Sequence, residues 1–69
     1  MNTKQLQYFL TLTQTKSIAA AARALDIAQP SISQQVTNLE HELGVTLFER
    51  SFQGVELTKA GEKFEAYAA

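Results

Sequence analysis

"QPSISQQVTNLEHEL", Gln29 to Leu43, decides the fold. Ile32, Val36, Leu39 and Leu43 recur four, three and four residues apart, the spacing that puts apolar side chains on one stripe of an α-helix. Pro30 belongs in the first turn of such a helix, where its missing N–H is not needed. Gly44 follows the last apolar position and stops the helix as a C′ glycine does. At ~1.5 Å per residue the segment is roughly 22 Å long. Its opposite face presents Pro30, Gln34, Thr37 and His41, flanked by Ser31, Ser33 and Asn38. From Ala24 to Glu49 there is no lysine or arginine, while Asp26, Glu40, Glu42 and Glu49 are acidic.

Upstream, Ser17 is placed to cap a helix through "KSIAAAARALD" by accepting from an otherwise unpaired backbone N–H. Ile18, Ala21, Ala22 and Leu25 form its inner stripe, with Ala20 and Arg23 pointing away. Asp26-Ile27-Ala28 then separates it from Gln29 by a three-residue turn. Asn2 or Thr3 caps an earlier helix that runs to about Gln14. Leu6, Phe9, Leu10 and Thr13 share one of its faces. Tyr8 and Leu12 fall nearly opposite, which predicts burial on two sides, the second covered by something other than the main core. Downstream of Gly44 the period changes. "VTLFER" and "GVELT" read as two short strands joined through "SFQG". Thr58 caps a final helix with Ala60, Phe64, Tyr67 and Ala68 along one side. Its "GEKFEAYAA" ending has no stop residue and reads as a chain cut inside a helix.

Composition bounds what such a chain does. Sixty-nine residues make one small domain. At 45% hydrophobic and 19% charged it has globular rather than disordered character. Without cysteine it has neither a disulfide framework nor a thiolate zinc site. No run approaches the ~20 apolar residues of a membrane span. Polar residues interrupt "MNTKQLQYFL" too early for a signal peptide, so a cytoplasmic location is expected. The net charge of −1 runs against nucleic-acid binding in bulk. Its distribution does not: Lys4, Lys16, Arg23, Arg50, Lys59 and Lys63 lie on both sides of the cation-free stretch.

Two helices across a short turn make a helix-turn-helix, and a hairpin directly after the second makes it winged. The fold class is therefore mainly α. "LQYFLTL", "SIAAAARALDIAQPSISQQVTNLEHELGVTLFER" and "GVELTKAGE" carry, in that order, a resemblance to the N-terminal DNA-binding domain of LysR-type transcriptional regulators. The resemblance covers essentially the whole chain. It implies a winged helix-turn-helix over residues 1–58, the helix-turn-helix itself at about 18–37, and the start of a linker helix at 59–69. It further implies a bacterial regulator that continues into a C-terminal domain for a small-molecule effector, with no cofactor in this part. The partners it implies are double-stranded DNA and a second copy, with a tetramer for the full-length protein, RNA polymerase as a candidate and no membrane. Homodimerisation would run through Ala60, Phe64, Tyr67 and Ala68, weakly in a chain with so little linker helix, and the paired linker would also cover the Tyr8/Leu12 side. Against the common family pattern, Gln34 stands where arginine is frequent, Ala19 where threonine is common, and Ala28 where a serine usually caps.

A polar helix face is ordinarily just solvated. Its place after the turn and before a wing instead points to the major groove, which recognition helices enter by their N-terminal residues. Gln29, Pro30, Ser31, Ser33, Gln34, Thr37 and Asn38 are the expected base-contacting residues, since glutamine pairs bidentately with adenine and threonine methyls meet thymine. His41 lies beyond the groove and reads as solvated. Arg50, with Ser51 and Gln53, is placed for the DNA backbone or minor groove, the alternative for Arg50 being a pair with Glu49 or Glu56. Lys16, Ser17 and Arg23 sit at the second helix, whose N-terminus and hydroxyl can meet a phosphate. Lys4, Lys59 and Lys63 read as solvated. Phe52 either touches DNA sugars or folds back on the hairpin. Phe64 and Tyr67 are core or dimer seam, with the seam expected. The rival function is a winged-helix protein-interaction module without DNA binding. An enzyme is disfavoured by one histidine, no cysteine, no phosphate-cradling loop and no evident carboxylate pair.

Overall fold

A computed structural model describes residues 2–52 and 54–68. The order is α1 (Thr3–Thr15), α2 (Ile18–Leu25), α3 (Gln29–Leu43), β1 (Phe48–Ser51), β2 (Gly54–Leu57) and α4 (Lys59–Ala68). The two strands form an antiparallel hairpin in which Phe48 pairs with Leu57, Glu49 with Glu56, Arg50 with Val55 and Ser51 with Gly54. This is the winged helix-turn-helix, with a fourth helix after the wing. Among the described residues no helix is long and apolar enough to cross a membrane.

Helix boundaries follow local chemistry. Asn2 caps α1 in a reciprocal box: its side chain accepts from the Gln5 N–H at 2.8 Å, and Gln5 Oε1 accepts from the Asn2 N–H at 3.1 Å. Ser17 Oγ accepts from the Ala20 N–H at 3.1 Å and starts α2. Asp26, left-handed at φ 56°, ends α2 and turns the chain toward α3. Gly44 (φ 72°) ends α3. Ala28 precedes α3 without a side-chain cap, as its methyl dictates. Ala28→Ser should therefore stabilise the domain by ~1 kcal/mol by giving the Ser31 N–H, which already donates to the Ala28 carbonyl at 3.0 Å, a second acceptor in the serine hydroxyl. Thermal unfolding checks this, with Tm expected to rise by roughly 4–8 °C for a domain this small. An unchanged Tm would mean that the bond to the Ala28 carbonyl already satisfies that turn.

Two apolar clusters flank α1. Tyr8 and Leu12 pack with Ala21, Ala22, Ile32, Val36 and Val55, uniting the helix-turn-helix with the second strand. Phe9 packs with Leu39 and Leu47, and Leu10, Leu57 and Phe64 close over them. The sequence reading of α1 is thus reversed. Its Tyr8/Leu12 side already meets the helix-turn-helix and leaves nothing for a second subunit to cover, while the Phe9 side meets the connector and α4. Leu43, expected on the inner stripe of α3, is 36% exposed because the chain leaves at Gly44 and nothing lies over that last turn. The hairpin is also shifted: Val45–Leu47 form no strand, and Ser51 belongs to the first strand rather than the loop, while Gly54 opens the second strand as read. The cause is Glu40, whose Oε2 accepts from the Leu47 N–H at 2.7 Å and the Phe48 N–H at 3.2 Å. The connector spends those donors on a side chain instead of a ladder.

Candidate nucleic-acid interface

Burying Ile32, Val36 and Leu39 turns the rest of α3 outward. Gln29, Pro30, Ser31, Ser33, Gln34, Thr37 and Asn38 are all exposed on it, as is His41 further along. Gln34 is pre-oriented: its Nε2 donates to Asn38 Oδ1 at 3.0 Å, one helical turn on. A primary amide has two N–H groups and a carbonyl oxygen. Gln34 therefore keeps one N–H and Oε1, the pair that adenine N7 and N6 require. Asn38 keeps both of its own N–H groups. α3 has no lysine or arginine, and its N-terminus, where no side chain caps the backbone and no acidic residue sits in the first turn, is electropositive.

The cations stand around this face. Arg50 is exposed on β1 and lines a cleft with Ser33, Thr37 and Glu40, so the wing meets the middle of α3 there. Glu49 and Glu56 face one another across the hairpin, on the side away from Arg50. Arg50 thus makes no ion pair with either, which removes that alternative. Opposed like charges weaken a strand pair slightly, and they keep that side of the wing off a polyanion. Arg23, exposed, borders a depression shared with Asp26, Ala28 and Gln29, beside the start of α3. Lys16 and Ser17 share a hollow with Ser51 and Glu56. Ser17 Oγ is occupied as an acceptor by the cap but retains its own proton to donate. Lys4, Lys59 and Lys63 are exposed on α1 and α4. Gln53 lies outside the described residues.

Two positioning features were missed in the sequence. Glu40 fixes the wing entry to α3 through the bonds to Leu47 and Phe48. Its signal was available: it falls four residues after Val36, on the inner stripe, where a carboxylate needs a backbone partner. The second is the wing's seat. The Val55 N–H donates to Lys16 O at 3.1 Å. Gly54, at φ 144°, lies so close that a Cβ would stand 2.2 Å from that carbonyl. No sequence signal pairs residue 16 with residue 54.

On α4 the expected seam divides. Phe64 packs edge-on against Phe9 with ring centroids 5.0 Å apart, so it serves this chain's own core. Tyr67 remains 79% exposed, with Ala60 and Ala68 half-buried.

A family model described as bacterial regulatory helix-turn-helix protein, lysR family, matches residues 3–62. The regulator ClcR of Pseudomonas putida is 52% identical over 64 residues, 93% of this chain. The chain spans only 22% of that relative's length. A solved complex of the CbnR DNA-binding domain with DNA superposes with a TM-score of 0.93 at 46% identity, covering 99% of this chain and 78% of that one. The BenM DNA-binding domain bound to its catB site 1 DNA gives 0.93 at 43%, covering 99% and 76%.

Proposed function

Because the chain belongs to the lysR family of bacterial regulatory helix-turn-helix proteins, we propose that it reads double-stranded DNA for a transcriptional regulator, with α3 in the major groove. One observation carries this reading: an exposed α3 face of neutral donors and acceptors is bordered by unpaired cations that α3 itself lacks. Gln29, Pro30, Ser31, Ser33, Gln34, Thr37 and Asn38 contact bases. Lys16, Ser17, Arg23, Arg50, Ser51 and Gln53 contact phosphates or the minor groove. The relatives are named as transcriptional regulators, which favours this reading over a protein-interaction module.

The wider organisation rests on the same premise. Residues 1–58 form the reading unit, and 59–69 begin a linker helix that pairs two copies through Tyr67, Ala68 and the outer edges of Ala60 and Phe64. A two-fold dimer reads an inverted repeat whose half-sites lie one helical turn apart, about 34–36 Å, or a multiple of it. A further C-terminal domain binds the effector and completes a tetramer, and the regulator works in the cytoplasm with RNA polymerase as its downstream partner.

Selection from a pool of random duplexes tests the proposal. It should enrich an inverted repeat whose half-sites carry adenines and thymines at the positions facing Gln34 and Thr37. Failure to enrich any sequence over random duplex at low salt would overturn it.

A further inference from the structure

Phe52 is 104% exposed, a whole phenyl ring held in water at the tip of the wing. The fold-back alternative read from the sequence is therefore excluded. We infer that Phe52 is the wing's minor-groove reader, packing its ring against the deoxyribose walls beside the half-site that α3 occupies. The inference rests on the DNA-reading role proposed above.

Three observations carry it. First, Phe48 and Arg50 both line the cleft against α3, and Phe52 follows directly after the end of that strand, at the turn. Glu49 and Glu56 occupy the side of the hairpin away from Arg50, so the wing approaches a polyanion with its Arg50 side and its tip leading. Second, the base of the tip is fixed. The strands pair up to Ser51 opposite Gly54, and the hairpin is seated on the α1–α2 corner by the Val55 N–H bond to Lys16 O and by Gly54 pressed against that carbonyl. Presenting a ring on a fixed support removes much of the ordering cost of binding it. Third, the occupant is defined by continuity. Arg50 lies between α3 and the tip. With α3 in the major groove, Arg50 meets the phosphates that bound that groove, and the next concavity beyond them is the minor groove. Its sugar walls are apolar, and apolar side chains, phenylalanine among them, are what architectural proteins place there. An uncharged ring gains nothing from the groove's negative potential, so it responds to width. Narrow A·T-rich grooves hold it on both sides, whereas the guanine 2-amino group obstructs the floor.

Base-analogue duplexes test this. The selected site is prepared with the wing-facing flank as A·T, G·C or inosine·C, the last having the minor groove of A·T and the major groove of G·C. The wild-type chain should bind the G·C flank about tenfold more weakly and recover on inosine·C, since burying one ring is worth about that factor. Phe52→Ala should bind all three like the G·C flank, and Phe52→Leu should restore part of the preference. Because the side chain touches nothing in the fold, Tm should not move. Undiminished flank preference in Phe52→Ala would overturn the inference, as would a change in oligomeric state in place of DNA affinity. Loss of wild-type binding to every duplex would instead overturn the DNA-reading role itself.

Discussion

Gly61→Ala is expected to destabilise the domain by about 3 kcal/mol, the upper end for overpacking a close-fitted contact. Gly61 is buried in the first turn of α4, and a Cβ there would lie 2.2 Å from Leu47 O and 2.8 Å from Leu57 Cδ2. Leu57 can rotate aside. The Leu47 carbonyl cannot, because it accepts from the Thr58 N–H at 2.9 Å while the Leu47 N–H is held by Glu40 at 2.7 Å. Alanine's better helix propensity returns at most ~1 kcal/mol. The remaining strain lifts α4 and draws Phe64 off Phe9. For 69 residues at roughly 0.05–0.15 kcal/mol each, that is more than a quarter of the total stability. Tm should fall by roughly 12–24 °C. A Tm within a few degrees of wild type would mean that α4 is not seated on the connector as described.

Gln34→Ala is expected to weaken binding to the selected site by about 1–3 kcal/mol and to leave random duplex almost untouched. One amide N–H of Gln34 goes to Asn38, and the other N–H and the oxygen are left for one adenine edge. Removing the amide deletes base readout but no charge. Asn38→Ala should produce a smaller loss of the same kind by releasing the rotamer it holds. Arg50→Ala is the counterpart: it should weaken preferred and random duplexes by one common factor, because a phosphate contact carries no sequence information. Competition titrations on the two duplexes separate these outcomes. A Gln34→Ala loss equal on both would place Gln34 on the backbone and remove it from base reading.

How legible this was in the sequence depended on whether the deciding contact was local. The α3 stripe of Ile32, Val36 and Leu39, the Ser17 cap and the Gly44 stop are set by neighbours within a few residues, and each appears where it was read. The exposed α3 face was equally legible, since burying one side of a helix determines the other. The failures are long-range. Which side of α1 meets which cluster depends on the path of the connector, and that path is set by Glu40 holding Leu47 and Phe48. The same bonds shorten the first strand, which β-propensity alone would have started at Val45. Phe64 was assigned outward because an amphipathic stripe does not say what covers it; in the structure it meets Phe9.

The central claim is that α3 supplies specificity without electrostatic affinity, while Lys16, Arg23 and Arg50 supply affinity without specificity. The salt dependence of binding measures this most directly. With three phosphate-contacting groups per subunit, the log–log slope for a bound dimer should be about −5, on selected and random duplexes alike. Gln34→Ala should leave that slope unchanged, and Arg50→Ala should make it shallower by about two, one for each subunit. A slope near zero, or one that Gln34→Ala alters and Arg50→Ala does not, would contradict the division of roles.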